Sequence, residues 1–446
     1  MFSNIAHGLL TILLGILTFP TVLAVAAVDL NSEEVNLTAQ DGGRSRAIFY
    51  WAKGRNPKAA VVLMHPIGDN RNSWVAQGLA REGIATLGMA GRYTSNETFH
   101  IHEELLLDVA EAVRFLKQEK GMEKVVFFGH SGGGQLGTFY QSQAATALPG
   151  RVSSTPAGDP PDLNKYDLPS LDGLILSNAH EGRGVRMMNS IDPSVVDEND
   201  PYSVNPKLDM YNPDNGFRQP PASSKYSEAF LKKYREAQVE RVKRLDALAQ
   251  AMVAEEHYHQ ELMQRPDFKN RPLKERLNIE KRAQPLRLMT IYRRVAEPKY
   301  TDLSIDPSDR PVGTNQGGNS LRPDLLNYSY RGIGLVISPR AWLSSRSGLS
   351  ANTSLHNNLK KVTIPLLVIA GTSDMGNTPE AKRKDLSLAA STDKELVLIP
   401  NADHGYLPRK RDTDLSHLPP EVTRGPTIQA LAKWIKEHFP ILGETD

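Results

Sequence analysis

Lys124-Val125-Val126-Phe127-Phe128-Gly129-His130-Ser131-Gly132-Gly133 joins a short apolar run to a glycine cluster, and the residues from 132 to 147 then carry a helical pattern. The run is β-branched and aromatic, which reads as a buried strand. A strand that turns directly into a helix leaves no room for bulk around its apex, so small residues are needed on both sides of Ser131; Gly129, Gly132 and Gly133 supply them. The turn aims the serine hydroxyl out of the end of the sheet. The first N–H groups of the following helix then converge on any oxygen placed there. A lone Gly-x-Ser-x-Gly is a weak motif, and it gains weight here from the strand before it and the helix after it.

Outward from this turn, similar units recur. Segments 59–64 (AAVVLM), 84–89 and 171–178 (LDGLILSN) read as strands, and 72–81 and 102–120 as helices, the latter with Leu105, Val109, Ala112, Val113 and Leu116 on one face. Two further buried-type strands, 364–371 (IPLLVIAG) and 395–399 (ELVLI), precede a closing helix over 425–439 with Ile428, Leu431, Ala432 and Ile435 on one face. Apolar strands alternating with helices predict an α/β fold, a mostly parallel sheet flanked by helices. Between its two parts, 27–179 and 362–446, lies a stretch over 180–361 rich in Pro, Asn, Arg and Tyr. Its longest regular piece, 224–264, repeats Leu231, Tyr234, Val242, Leu245, Ala249 and Met252 at helical spacing. This block reads as a large, mainly helical lid insertion. Segments 152–170 and 307–319 read as loops.

A serine hydroxyl is a poor nucleophile without a base. His404, in Asn401-Ala402-Asp403-His404-Gly405-Tyr406, follows the last strand. Loops after parallel strands gather at the carboxyl edge of the sheet, where Ser131 also sits. The base needs an acid to hold its tautomer. Asp374, in Gly371-Thr372-Ser373-Asp374, is the first candidate, Glu181 the alternative acid, and Asp403 would have to fold back on its own neighbour. Gly132 is one candidate oxyanion donor, and the loop His65-Pro66-Ile67-Gly68 holds the second.

The glycine-flanked serine turn, the acid loop, the histidine loop and the loop after segment 59–64, in this order, resemble the α/β-hydrolase superfamily over 47–178 and 364–439, but not over the insertion. The resemblance implies a Ser131-His404-Asp374 triad, with Ile67 and Gly132 as the oxyanion hole. The family often has His-Gly where this chain has His65-Pro66. Proline has no N–H, and the family's donor is usually the residue after that glycine, hence Ile67. The expected activity is cleavage of a carboxylic ester of a small or medium-sized molecule through an acyl-enzyme, with no cofactor and no metal. An amidase, a peptidase or a C–C bond hydrolase would use the same triad, and members of this fold that have lost catalysis act as binding modules.

The 446 residues carry a net charge of +2, with 39% hydrophobic and 23% charged residues, which leaves no basic field for nucleic acid. The absence of cysteine excludes disulfides, a thiolate nucleophile and a Cys-ligated zinc. Segment 8–28 is apolar and uncharged, and Ala24-Val25-Ala26 fits a signal-peptidase site. A signal peptide over 1–26 is expected, with a secreted or periplasmic product and no stable membrane insertion after cleavage. An uncleaved membrane anchor is the alternative. Asn36, Asn96, Asn327 and Asn352 begin glycosylation sequons. His100 and His102 are spaced like metal ligands, but Glu103 and Glu104 beside them fit a helix start. His257 and His259 read as solvated, and the basic residues of 232–244, interleaved with Glu228, Glu236 and Glu240, as a salt-bridged surface. Arg183, Arg186, Arg331 and Arg340 fit either a clamp for a substrate carboxylate or, the commoner case, the surface.

Overall fold

The computed structural model describes residues 28–306, 308–315, 321–330, 334–375 and 377–441. The expected signal peptide, Arg331 and part of the 307–319 loop lie outside them. Strands β1 (Leu30–Thr38), β2 (Arg44–Ala52), β3 (Ala59–Leu63), β4 (Ala85–Ala90), β5 (Lys124–His130), β6 (Gly173–Ser177), β9 (Leu366–Gly371) and β10 (Lys394–Ile399) form one sheet in the order β1-β2-β4-β3-β5-β6-β9-β10, while β7 (Met289–Thr290) and β8 (Val336–Ile337) pair in the insertion. From β4 through to β10 all neighbours run parallel; β1–β2 and β2–β4 are antiparallel.

The predicted α/β sheet is therefore present, extended by a hairpin that the apolar runs did not announce. In β1 buried and exposed residues alternate, with Val35 and Leu37 inward and Glu33, Glu34 and Asn36 outward, so no continuous apolar segment forms. The parallel strands β3, β4 and β6 are buried along their whole length, and their sequences read clearly.

Helices cover both faces. Helix α1 (Trp74–Arg81) packs Val75 and Leu79 with Leu431 and Ile435 of the helix Glu421–His438 against one face. Helices α2 (His102–Arg114) and α3 (Gly132–Ala144) bring Leu105, Val109, Leu136 and Phe139 to the other. The closing helix starts at Glu421, ahead of the expected 425, and carries Gly425 and Pro426 inside it.

Within the insertion, α4 (Arg183–Ser190) leads into a long irregular segment, then α5 (Glu228–Gln264) and α6 (Leu273–Arg282). The α5 stripe Val242, Leu245 and Ala249 is buried with Met187, Ile191 and Trp342. Although α5 has 37 residues, no helix among the described residues is long and apolar enough to cross a membrane. Its basic face differs from expectation. Arg241 is fully buried on Glu198 at 2.6 Å and on the Asp192 carbonyl at 2.7 Å, and Arg235 turns to Glu297. Only Lys243–Glu240, at 2.8 Å, is the exposed helical pair that the charge pattern suggests. His259 is buried and His257 bonds Asp159 at 2.8 Å, so neither is simply solvated.

The insertion is fastened to the sheet domain by buried polar contacts. Ser344 donates to Glu103 at 2.6 Å, Asn352 donates to the same carboxylate at 2.9 Å, and the His102 amide donates to Ser344 at 2.9 Å. Burial pushes the Glu103 carboxyl up, and these donors hold it back. Inside the insertion, Asp246 of α5 accepts from Trp342 Nε1 at 2.6 Å, Ser347 at 2.7 Å and Ser350 at 2.6 Å. Asp246→Leu keeps most of the volume and strands three donors. It should lower the unfolding free energy by roughly 1–3 kcal/mol per buried donor left unpaired, read as a shift in the urea midpoint. An unchanged midpoint would remove this carboxylate from the framework of the insertion.

Candidate active site

Ser131 lies between β5 and α3 with φ 54° and ψ −118°, a conformation that L-residues rarely adopt. Its amide is tied to the Ser177 carbonyl at 2.9 Å. The flanking glycines are needed for space: a Cβ on Gly129 would meet the Gly133 carbonyl oxygen at 2.3 Å, and one on Gly133 would meet the Met64 carbonyl oxygen at 2.4 Å.

His404 Nε2 is 2.9 Å from Ser131 Oγ, and its Nδ1 is 3.0 Å from each Asp374 oxygen. With the Nδ1 proton donated to Asp374, Nε2 is left to accept from the serine hydroxyl. Asp374 is fully buried and also accepts from Asn377 Nδ2 at 2.8 Å. Asn178, at the end of β6, was not singled out in the sequence. It accepts from the Gly371 amide at 2.9 Å and donates to the His404 and Asp403 carbonyls at 3.0 and 3.2 Å, so it joins the acid loop to the histidine loop. Glu181 stands elsewhere, 3.9 Å from His356. Asp403 accepts from the amides of Gly405 and Leu407, both at 2.9 Å, and shapes its own loop.

The donor side differs from expectation at one point. The Ile67 amide, the expected second donor, points back to His65 Nδ1 at 3.2 Å, and the Gly68 amide joins it at 2.9 Å. Two N–H groups on Nδ1 leave the imidazole proton on Nε2. That Nε2 faces the start of α3, 3.1 Å from where a Gly132 Cβ would lie. His65 is held far below the usual histidine range by burial and by Arg183, so it stays a neutral donor. His130 packs on His404 with ring centres 4.9 Å apart, and burial and His404 push it down to about 3.

Ser131, Gly132, Ile67, His65 and His404 border one cavity of about 180 Å³, and Arg183, Arg186, Arg294 and Arg346 line the same cavity. Arg183, Arg294 and Arg346 are buried, which excludes the surface reading for Arg183. Arg340 instead pairs with Asp159 at 2.6 Å and Glu256 at 2.7 Å. Arg294 and Arg346 carried no sequence signal, because their approach to the serine depends on how the insertion folds. His100 and His102 are buried with ring centres 4.3 Å apart, and among the described residues no group of three side chains is set to hold a metal.

No protein-family model matches the sequence, and no curated protein matches it either. Solved structures to which the chain is similar include the alpha/beta hydrolase GrgF from Penicillium sp. sh18, 13% identical, covering 92% of this chain and 99% of that one at a TM-score of 0.46. A soluble variant of monoglyceride lipase from Saccharomyces cerevisiae is 15% identical, covering 95% and 99% at 0.41. An esterase from Exiguobacterium antarcticum is 13% identical, covering 90% and 99% at 0.38. At such identities no residue role or substrate passes to this chain. Its own strand order, with the antiparallel entry hairpin and a glycine-flanked serine leaving central β5, decides the architecture. This is the α/β-hydrolase fold.

Two measurements test the site. Asp374→Asn should cost roughly 10⁴-fold in kcat on any substrate turned over, through loss of the imidazole tautomer, while Glu181→Gln stays within a few-fold; the reverse pattern would move the acid to Glu181. The second concerns acid stability. His65, His100, His102, His130 and His180 all have depressed pKa values, with burial the leading cause. Above a pH of about 6.5 folded and unfolded chains are both neutral at these rings. As pH falls below that, the unfolded chain binds protons that the folded one refuses, so stability falls with pH. Both ring nitrogens of His100 lack a partner among the described residues. His100→Phe should therefore flatten the pH dependence of the unfolding free energy by about 1.4 kcal/mol per pH unit near pH 5, one proton's worth. An unchanged slope would exclude His100 as a source.

Proposed function

We propose that this protein is a serine hydrolase that cleaves a carboxylic ester. The observation that carries the reading is His404, bonded through one nitrogen to Ser131 Oγ at 2.9 Å and through the other to buried Asp374 at 3.0 Å. No surface role requires that arrangement on a strained turn.

His404 takes the Ser131 proton as the hydroxyl oxygen attacks the carbonyl carbon. The oxyanion that forms lies against the start of α3, where the Gly132 amide is the first donor, and neutral His65 Nε2–H is the nearest candidate for the second. Protonated His404 then gives its proton to the departing alkoxide, leaving an acyl-Ser131. A water, deprotonated by His404, attacks that ester, and collapse of the second intermediate returns the proton to Ser131 and releases the acid. Asp374 accepts from His404 Nδ1 and steadies the imidazolium in both halves. Esters are favoured over amides because an alkoxide leaves more readily than an amine.

The test combines a fluorophosphonate label with p-nitrophenyl esters from acetate to palmitate. The parent should label on Ser131 and turn over short esters, and Ser131→Ala should lose the label and roughly 10⁶-fold in kcat, as for removal of a triad serine. Labelling without ester turnover would shift the reading to an amide or C–C bond. A folded parent that neither labels nor turns over would leave a binding module.

A further inference from the structure

We infer that the cavity beside Ser131 is built for a small substrate that carries its own carboxylate, placed on the guanidinium groups of Arg183, Arg346 and Arg186. The inference rests on the hydrolase reading for the bond cleaved, but the anion site stands on separate observations.

Among the described residues, four arginines line the cavity together with Ser131 and His404, and no Asp or Glu does. The charges of Asp374 and Glu297 reach Arg186, and behind Arg183 and Arg346 lies a further carboxylate, Glu97. It accepts from Arg346 at 2.5 Å and pairs with Arg183 at 3.4 Å, so it is shared between two cations. Burial pushes Glu97 up, yet Arg346, the Gly334 amide and Arg183 together hold it below the usual carboxylate range. Asp374 is committed to His404. Arg183 is 4% exposed and its Nη1 has no hydrogen-bond partner among the described residues; Arg346 is 2% exposed and its Nε has none. Arg186 meets Tyr300 across the cavity.

Buried cations cost several kcal/mol each unless they are paired, and arginine does not escape by losing its proton. A framework that merely used Arg183 and Arg346 as struts would pair each one in full, as Arg241 and Arg310 are paired elsewhere in the insertion. Here positive charge is left over: burial followed by repulsion from Arg346 depresses Arg183, and burial depresses Arg186 against the opposing pull of Tyr300, Asp374 and Glu297. The planar guanidinium fork matches a carboxylate in geometry as well as charge. The surplus also sits close to the chemistry: Arg183 Cδ is 3.6 Å from where a Gly132 Cβ would lie. The 180 Å³ of open space holds about 12–18 water-sized groups at ~10–15 Å³ each, which limits the substrate to a short chain. A half-ester of a short dicarboxylic acid satisfies both ends, with its ester carbonyl at Ser131 and its free carboxylate on the arginines.

The experiment compares p-nitrophenyl hydrogen adipate with its methyl-capped, uncharged counterpart. The ratio of their kcat/KM values should favour the acid by roughly 10- to 100-fold, the worth of a charge-assisted contact. It should collapse towards unity in Arg183→Met and in the less buried Arg186→Gln, the second variant covering the case in which the first does not fold. A ratio near unity in the parent would overturn the inference. Binding is read separately by calorimetry of adipate against adipamide on Ser131→Ala, which needs no turnover. Adipate should bind and adipamide should not; equal binding, or none by either, would overturn the anion site even if Ser131 labels. Failure of the fluorophosphonate label, with adipate still bound, would sink the hydrolase reading and leave the anion site standing.

Discussion

The close approach of three backbone segments around Ser131 is the constraint on which the rest of the site depends. The start of α3 presses against the end of β5 and against the loop leaving β3, at separations that admit no side chain on Gly129 or Gly133. The strain at Ser131 survives because its amide is pinned to the neighbouring strand β6 and its flanks are locked by packing. Because β5 lies between β3 and β6, the same contact fixes the His65 loop on one side and Asn178 on the other. Asn178 then carries the order onward to β9 and the histidine loop. Ser131, His404 and Asp374 are thus brought together by strand ends, and they need no contact with one another until the sheet is in register.

Parallel strands buried on both faces were legible because burial itself writes the sequence: β3, β5, β6 and β9 are runs of Val, Ile, Leu and Phe. The loops that follow them were legible for the same reason, since a strand's end fixes where its next polar residue can stand. That is how Ser131, Asp374 and His404 could be expected at one edge of the sheet, where they meet. The edge hairpin β1–β2 was not legible, because a strand with one face in water leaves only short alternation. Ile67 shows a finer limit. Sequence order can place a loop at the serine, but it cannot say whether an amide turns outward or back onto the preceding imidazole, as it does here.

The insertion was legible only as composition. Charge interleaved along α5 suggests a face salt-bridged within the helix, yet Arg241 and Arg235 pair with acids from distant segments. A helical period predicts which residues share a face, but not whether another part of the chain covers that face. Where long irregular segments cross a helix, the polar residues they bury must be paired from far away in sequence, and no local pattern records the pairing. Asp246 gathering Trp342, Ser347 and Ser350 belongs to the same class.

The histidines and arginines around the cavity belong to one electrostatic system. Burial is the first reason that His65 and His102 resist protonation, and the Arg183 and Arg346 charges are among the further reasons. Neutral rings so close to cations are what the arrangement requires, since a protonated His65 or His102 would add to charge already in surplus. Gln135 couples this system mechanically to the turn that carries Ser131. It sits in the first turns of α3, contacts His102 Nε2 at 2.7 Å through its Nε2, and accepts the Arg183 amide through its Oε1. The start of α4, and with it Arg183, is therefore held to the helix that begins at Ser131. The sheet supplies Ser131, Asp374 and His404 and the insertion supplies much of the charge, and Gln135 joins the two beside the buried contacts that Glu103 makes with Ser344 and Asn352.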